Sequence, residues 1–166
     1  MVEQSFSRHR LQPRNGKKAT LVADGPAFKE NKGMGDFGLL HHVELQVSNL
    51  ESSVGPWAWM FDVLGYTPYQ EWSGGRSWRH GSTYIVVASA PRDGAHDRRD
   101  AGLNHLAFHA GTTQDVDRLW KAAPQHGWNQ LYVDRHPWAG GDEHYAAFLD
   151  NAERFKVELV ATDPKY

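Results

Sequence analysis

The chain has 166 residues, of which 18 are Lys or Arg, 20 are Asp or Glu, ten are His and none is Cys. This length fits one domain or two small modules with a buried core, and the lack of Cys excludes disulfides, thiol nucleophiles and thiolate metal sites. No apolar run approaches the roughly 20 residues that a membrane-spanning helix needs, so we expect no membrane partner.

The first 36 residues are basic and show no hydrophobic periodicity. They contain seven Lys or Arg against four Asp or Glu, whereas the remaining residues contain 11 against 16. Such a segment cannot bury enough apolar surface to become ordered, so we predict a flexible tail over 1–36 and a single domain over 37–166. Met34 is an alternative start, and residues 1–33 can equally be native or a leader. No apolar signal segment follows the basic residues, which favours the cytoplasm, and the mildly acidic domain argues against a nucleic-acid partner.

Residues 39–91 predict a first module with the order β-α-β-β-β. Polar and apolar residues alternate over 41–47, which predicts a strand with one apolar face. Asn49 is the candidate N-cap of a helix that ends at Gly65. The pair Gly55-Pro56 is expected to delay or distort the first turn of this helix. Three short strands are predicted to follow, at 66–72, 76–80 and 82–88.

The same order recurs over 102–162, after a charged linker at 92–101. Residues 103–109 alternate again, and Thr112 or Thr113 is the candidate N-cap of a helix with apolar residues at helical spacing. Three further strands are predicted at 131–134, 145–149 and 155–161. The repeated order indicates an internal duplication.

Four stretches carry a resemblance to a known family, and they lie at 40–50, 61–66, 102–108 and 155–160. They resemble the vicinal oxygen chelate superfamily, which contains glyoxalases, extradiol dioxygenases, fosfomycin-resistance enzymes and bleomycin-binding proteins. The resemblance implies a glyoxalase-like α+β fold, in which two tandem βαβββ modules form a curled mixed sheet around a cavity. It also implies one divalent metal ion, held by a His on the first strand of each module and a carboxylate on a last strand.

Carried over by position, the resemblance assigns His42, His105 and Glu158 as ligands of this ion. The fourth ligand position of the family is not filled, because residues 82–91 contain no Asp, Glu, His or Gln. Strand alternation agrees with the assignment, since all three ligands fall opposite the apolar face of their strand. Two imidazoles and one carboxylate suit Fe, Mn, Zn or Ni and leave coordination positions open. His41 is the alternative ligand if the register of its strand shifts by one residue.

Further candidates surround these ligands. His109 shares a strand face with His105 and is a candidate proton carrier, Glu44 could orient a ligand imidazole or accept a proton, and Tyr145 could place a phenol near the ion. His144 belongs to a hinge-rich loop at 136–144 that is predicted to form a rim over the cavity and to bind substrate. The other candidate substrate-binding residues are Gln46, Arg76 and Trp78. Several of these candidates have an equally good structural interpretation. Tyr145 could simply pack in the sheet, His109 could lie at a strand end in solvent, and Arg76 and Trp78 could belong to a solvated strand. The loop at 136–144 could be an ordinary surface turn.

We therefore expect a metal-dependent enzyme that acts on a small molecule with adjacent oxygens. Its chemistry would be that of an extradiol dioxygenase or of a glyoxalase-like lyase or isomerase. The alternative is a metal-free protein that binds an aromatic or cationic drug, as bleomycin-resistance proteins do, and seven Trp residues keep this alternative open. The resemblance also allows a homodimer.

Overall fold

The computed structural model describes residues 38–162, and the predicted tail at 1–36 lies outside them. Module one has the predicted order. Helix α1 (Leu50–Val63) is followed by a turn in which Gly65 has φ 80°, and the Asn49 side chain caps its start by accepting the Ser52 N–H at 3.1 Å. The helix begins at Leu50 and continues through Pro56, so the Gly-Pro pair does not delay it. The strands are β1 (His42–Val47), β2 (Thr67–Trp72), β3 (Gly75–His80) and β4 (Thr83–Ser89).

Module two repeats this order with two departures from the predicted bounds. Helix α2 (Thr113–Ala122) is capped by Thr112, whose side chain forms a reciprocal capping box with Asp115. A 3-10 helix (Ala123–His126) follows it. The strands are β5 (Leu106–His109), β6 (Trp128–Leu131), β7 (Ala146–Asn151) and β8 (Lys156–Val160). His105 therefore lies just before β5, and β6 comes three residues earlier than the strand predicted at 131–134.

The described residues form two four-stranded mixed sheets, with the orders β1-β4-β3-β2 and β5-β8-β7-β6. In each sheet the first strand of the module lies at an edge and pairs in parallel with the last strand of the same module. In the second sheet Ala107, Glu158 and Phe148 lie side by side in register. Between residues 38 and 162, no helix is long and apolar enough to cross a membrane.

The main hydrophobic core contains residues from both modules and centres on α1. Trp57 of α1 is fully buried, and its ring lies 4.9 Å from that of Trp128 and 6.0 Å from that of Phe155. The indole N–H of Trp128 donates to the Pro56 carbonyl at 3.0 Å. Helix α1 is therefore the element through which module one packs against module two.

Packing on α1 leaves the opposite face of β1 outside the core. Leu45 and Val47 are buried, whereas His42, Glu44 and Gln46 are exposed. The alternation predicted from the sequence is confirmed for this strand. The polar face of β1 is available for chemistry because the apolar face alone supplies the packing.

Candidate active site

Glu158 of β8 is a buried carboxylate that faces two imidazoles. Its exposed fraction is 7%, and its neighbours in the sheet are Ala107 and Phe148. Nε2 of His105 lies 2.9 Å from Oε2 of Glu158, and Nε2 of His144 contacts Oε1. Among the described residues no Lys or Arg forms an ion pair with Glu158, and its ion-pair partners are the two imidazoles.

The neighbouring Asn104 fixes the proton on the ring of His105. The Asn104 Nδ2 donates to the Arg98 carbonyl at 3.0 Å, and this orients its Oδ1 toward Nδ1 of His105, at 2.8 Å. Because an amide oxygen only accepts hydrogen bonds, Nδ1 of His105 must carry the hydrogen. In the neutral ring, Nε2 then holds a lone pair.

The contact between His105 and Glu158 therefore joins two acceptors when the ring is neutral. A proton, carried by the ring or by the carboxyl group, or a metal ion has to lie between the two atoms. Two ligand atoms at about 90° to each other in an octahedral site, each about 2.1 Å from a common divalent ion, are themselves about 3 Å apart. The observed 2.9 Å fits this spacing.

His42 makes different contacts. Its ring stacks on that of Tyr84, with centroids 4.8 Å apart and planes 4° apart, and its Nδ1 lies 2.9 Å from Nδ1 of His41. Within residues 38–162, no group of three or more His, Cys, Asp or Glu side chains lies in an arrangement that could hold a metal ion. The structure brings His105 and Glu158 together. The role of His42 as a third ligand stays a prediction.

Of the remaining catalytic candidates, Glu44 and His109 lie on strands and Tyr145 lies just before β7. Glu44 is exposed on β1, two residues from His42. His109 is the last residue of β5, and its Nδ1 lies 2.9 Å from Oγ1 of Thr162. The Tyr145 hydroxyl donates to Oδ1 of Asp117 on α2 at 2.8 Å.

Of the predicted substrate-binding residues, Gln46 lies on the polar face of β1, whereas Arg76 and Trp78 lie on the other face of the sheet. Trp78 is 4% exposed and pairs with Ile85, which also pairs with Val43 of the packing face. The structure therefore does not bring Arg76 or Trp78 to the face that carries His42. Both residues line a separate cavity of about 320 Å³.

A recess opens beside His144, and we call it the Trp138 recess. Its volume is about 330 Å³. Seven residues line it, namely Thr113, Trp138, Glu143, His144, Tyr145, Val160 and Ala161. His144 belongs both to this lining and to the Glu158 contact, so the recess adjoins the buried carboxylate.

Two residues of this region were not predicted as site residues. Asn104 directly precedes the candidate ligand His105, and an amide next to a candidate metal-binding His is a signal for an orienting role. Asp117 holds the Tyr145 hydroxyl from 28 positions away, and no local sequence pattern indicates that contact.

Comparison with known proteins establishes the class of this chain. A sequence model of the Glyoxalase/Bleomycin resistance protein/Dioxygenase superfamily matches residues 41–148. The chain belongs to this superfamily, and the predicted fold of two tandem modules is confirmed.

This chain matches its relatives over nearly the whole length of each relative. The "Uncharacterized protein YqjT" of Bacillus subtilis (strain 168) is 46% identical over 125 residues, which cover 74% of this chain and 98% of that protein. A Bacillus halodurans protein provisionally described as a glyoxalase has a crystal structure with TM-score 0.73 and 45% identity, covering 76% of this chain and 98% of that one. FosX, a fosfomycin resistance protein from Listeria monocytogenes solved with Mn(II) and sulfate, has TM-score 0.55 and 15% identity over 76% of this chain and 91% of its own. This last likeness shows the fold alone.

Proposed function

We propose that this protein is a divalent-metal-dependent enzyme acting on a small molecule whose adjacent oxygens chelate the ion. Its chemistry would be extradiol-dioxygenase-like ring cleavage or a glyoxalase-like lyase or isomerase reaction. The observation that supports this proposal most is the 2.9 Å contact between Nε2 of His105 and Oε2 of Glu158, two atoms that both accept hydrogen bonds when the ring is neutral. FosX, whose likeness shows the fold alone, was solved with Mn(II), so Mn(II) is one of the ions to test here.

The donor set fits such an ion. A carboxylate that is 7% exposed and lacks a Lys or Arg partner among the described residues is costly to bury, and a divalent cation would offset that cost. One imidazole nitrogen and one carboxylate oxygen accept Fe, Mn, Zn or Ni alike. His105 and Glu158 would hold the ion, and Asn104 would keep the lone pair of His105 directed at it.

Two ligands are fewer than the three protein ligands that a catalytic metal site keeps. In this proposal the third is His42 of a second copy of the chain. His42 is exposed, and β1 is the edge strand of its sheet, so a second copy has access to it. A symmetric homodimer would then form two such sites.

A bound ion would act as a Lewis acid on the chelating oxygens of the substrate. His144 would accept the proton of a substrate hydroxyl, because it lines the Trp138 recess and its ring contacts Oε1 of Glu158, whose charge would stabilise the imidazolium that forms. Asp117 holds the Tyr145 hydroxyl and fixes the position of this ring in the recess wall. The buried sheet around Glu158 limits the access of water to the carboxylate.

Metal-free binding of an aromatic or cationic drug is the second candidate function. The observation that favours it is the pairing of Trp138 and Tyr145, whose rings meet edge to face at 5.1 Å in the wall of the recess. Such a wall suits a planar ligand whether or not an ion is bound.

Metal analysis of protein purified without an affinity tag tests the proposal. We expect about one divalent ion per chain and its loss in Glu158→Gln and His42→Ala, because each variant removes one of three ligands. His126→Ala, on the surface of the 3-10 helix, is the control and should keep the ion. Oxygen uptake with catechols would then distinguish a dioxygenase from an isomerase.

Mixing the two ligand variants tests the shared site. When His42→Ala and Glu158→Gln chains exchange at random, about a quarter of the sites combine two intact halves and should regain the ion. No recovery would place all ligands in one chain. An absence of metal in the wild type, together with tight drug binding, would favour the second candidate function.

A further inference from the structure

The lining of the Trp138 recess is mostly aromatic and aliphatic, whereas the Glu158 carboxylate beside it contacts the imidazoles of His105 and His144. We propose that it selects the substrate by binding a planar apolar group that is uncharged or positively charged, and that it discriminates against anionic substrates. This inference rests on the proposed function, in which the adjacent oxygens of the same substrate lie at Glu158 and its remaining part enters the recess. His144 joins the two places, because it lines the recess and contacts Glu158.

The wall of the recess suits a planar group. Trp138 is 46% exposed although it is a large aromatic residue, and its ring packs edge to face against Tyr145 at 5.1 Å. Val160 and Ala161 continue the apolar surface at the end of β8. The position of Tyr145 is fixed by its hydrogen bond to Asp117, so this wall is formed before any ligand arrives. A ring inserted here would contact the aromatic and the aliphatic groups of this lining.

The charge of the lining determines whether the recess favours cationic or anionic ligands. Glu143 is an exposed carboxylate in the wall, and the lining contains no Lys or Arg. Arg135 and Lys156, the cations near the lining in sequence, lie over the rings of Tyr132 and Phe148 at 4.7 and 5.9 Å. Lys156 is also four residues before Val160 on β8, which corresponds to about 13 Å along a strand. Within this lining an anionic group would therefore meet the Glu143 carboxylate and no Lys or Arg side chain.

Three monophenols that differ in charge test this inference without requiring a metal ion. p-Cresol is neutral, tyramine is cationic and 4-hydroxybenzoate is anionic, and EDTA is present throughout because a carboxylate can itself coordinate a divalent ion. Each is titrated into the full chain while the indole N–H of Trp138 is followed by NMR, with Trp138→Ala used to assign the signal. We expect tyramine and p-cresol to shift this signal, and 4-hydroxybenzoate to bind at least fivefold more weakly than tyramine.

Glu143→Gln tests the origin of the preference. A unit charge about 6 Å away in water changes affinity on the order of threefold, so tyramine should weaken and 4-hydroxybenzoate should strengthen by about that factor. Asp93→Asn, which removes an exposed carboxylate of the linker, should change neither affinity.

The inference is overturned if 4-hydroxybenzoate binds the wild type as tightly as tyramine, or if none of the three ligands shifts the Trp138 signal. It is also overturned if Glu143→Gln leaves the ratio of the two affinities unchanged. A failure of the proposed function would appear instead as missing metal with the monophenol titrations unaffected, so the two failures are distinguishable.

Discussion

The proton on His105 depends on a single amide, that of Asn104. Asn104→Ala removes the acceptor at Nδ1, so the ring is free to place its hydrogen on Nε2, the atom that faces Glu158. We expect the affinity for a divalent ion to fall by about 10- to 100-fold, the usual effect of removing a group that orients a metal ligand. Isothermal titration with Mn(II) or Zn(II) measures this loss, and nitrogen chemical shifts of His105 report which ring atom carries the hydrogen.

Asn129→Ala is the matched control for this experiment. Asn129 also lies in module two and makes one exposed hydrogen bond, to Asp150 at 3.2 Å, so its replacement should leave metal affinity unchanged. A variant of Asn104 that binds metal normally, with the hydrogen still on Nδ1, would show that another group orients His105.

At the residue scale the sequence predicts contacts that follow from strand pairing better than contacts that depend on loop conformation. His105 and Glu158 were predicted from a positional resemblance and from strand alternation, and the parallel pairing of β5 and β8 brings them together. His144 was predicted to bind substrate, whereas its contact with Glu158 follows from the loop before β7. No residue periodicity fixes the conformation of such a loop, so this contact could not be predicted.

At the element scale the strongest local signals gave the correct boundaries. Asn49 caps α1 as predicted, and of the two candidates for α2 it is Thr112 that caps the helix, because a side-chain acceptor at the N-cap satisfies a free backbone N–H. The strand predicted at 131–134 is wrong in its bounds, since β6 ends at Leu131 and Tyr132 has φ 59°. The apolar residues there match a strand pattern, but pairing of β6 with β7 starts at Trp128, whose burial against Trp57 sets the register.

The β2–β3 hairpin allows a prediction at the element scale, because the ring of Trp72 packs directly against Gly75. A Cβ placed on Gly75 would lie 2.5 Å from Cζ2 of Trp72 and 2.9 Å from the Val87 carbonyl oxygen. We expect Gly75→Ala to lower the free energy of unfolding by about 1–3 kcal/mol, the usual cost of overpacking. Urea denaturation measures the change.

Gly74→Ala serves as the control in the same turn. Its added Cβ would meet Nε1 of Trp72 at 3.4 Å, which is an ordinary contact. Its unfolding free energy should stay within about 0.5 kcal/mol of the wild type. Equal losses in both variants would mean that the turn backbone, and not the Trp72 contact, limits stability.

At the scale of the whole molecule the sequence predicted two modules but not how they pack. The repeated β-α-β-β-β order was readable because each module keeps its own periodicities. The packing of α1 on module two depends on which large side chains meet, as Trp57 meets Trp128 and Phe155. Such pairings are separated by about 70 to 100 residues in the chain, and neither residue carries a local signal of its partner.

A carboxylate also links the two modules, and the stability that it contributes to the fold depends on pH. Glu153, in the turn between β7 and β8, accepts the Ser48 N–H at 2.7 Å, the Asn49 N–H at 3.3 Å and the Ser53 hydroxyl. Burial alone raises the pKa of Glu153, but these hydrogen bonds together lower the pKa below its ordinary value. A carboxyl group with a lowered pKa in the folded state stabilises the fold above its unfolded pKa of about 4.3, and this contribution is lost as the pH falls through the folded pKa.

We therefore expect Glu153→Gln to lower the free energy of unfolding at pH 7 by about 1–2 kcal/mol, because the charged acceptor of several N–H and O–H groups is lost. The difference from the wild type should shrink as the pH is lowered from 7 to below about 4.3, since the wild-type carboxyl becomes protonated as the pH falls through its lowered folded pKa. Urea denaturation across this range measures both quantities, with Asp93→Asn as a control that removes an exposed charge. A difference that stays constant with pH would show that Glu153 acts through its shape in the turn and that its charge does not hold module two to the start of α1.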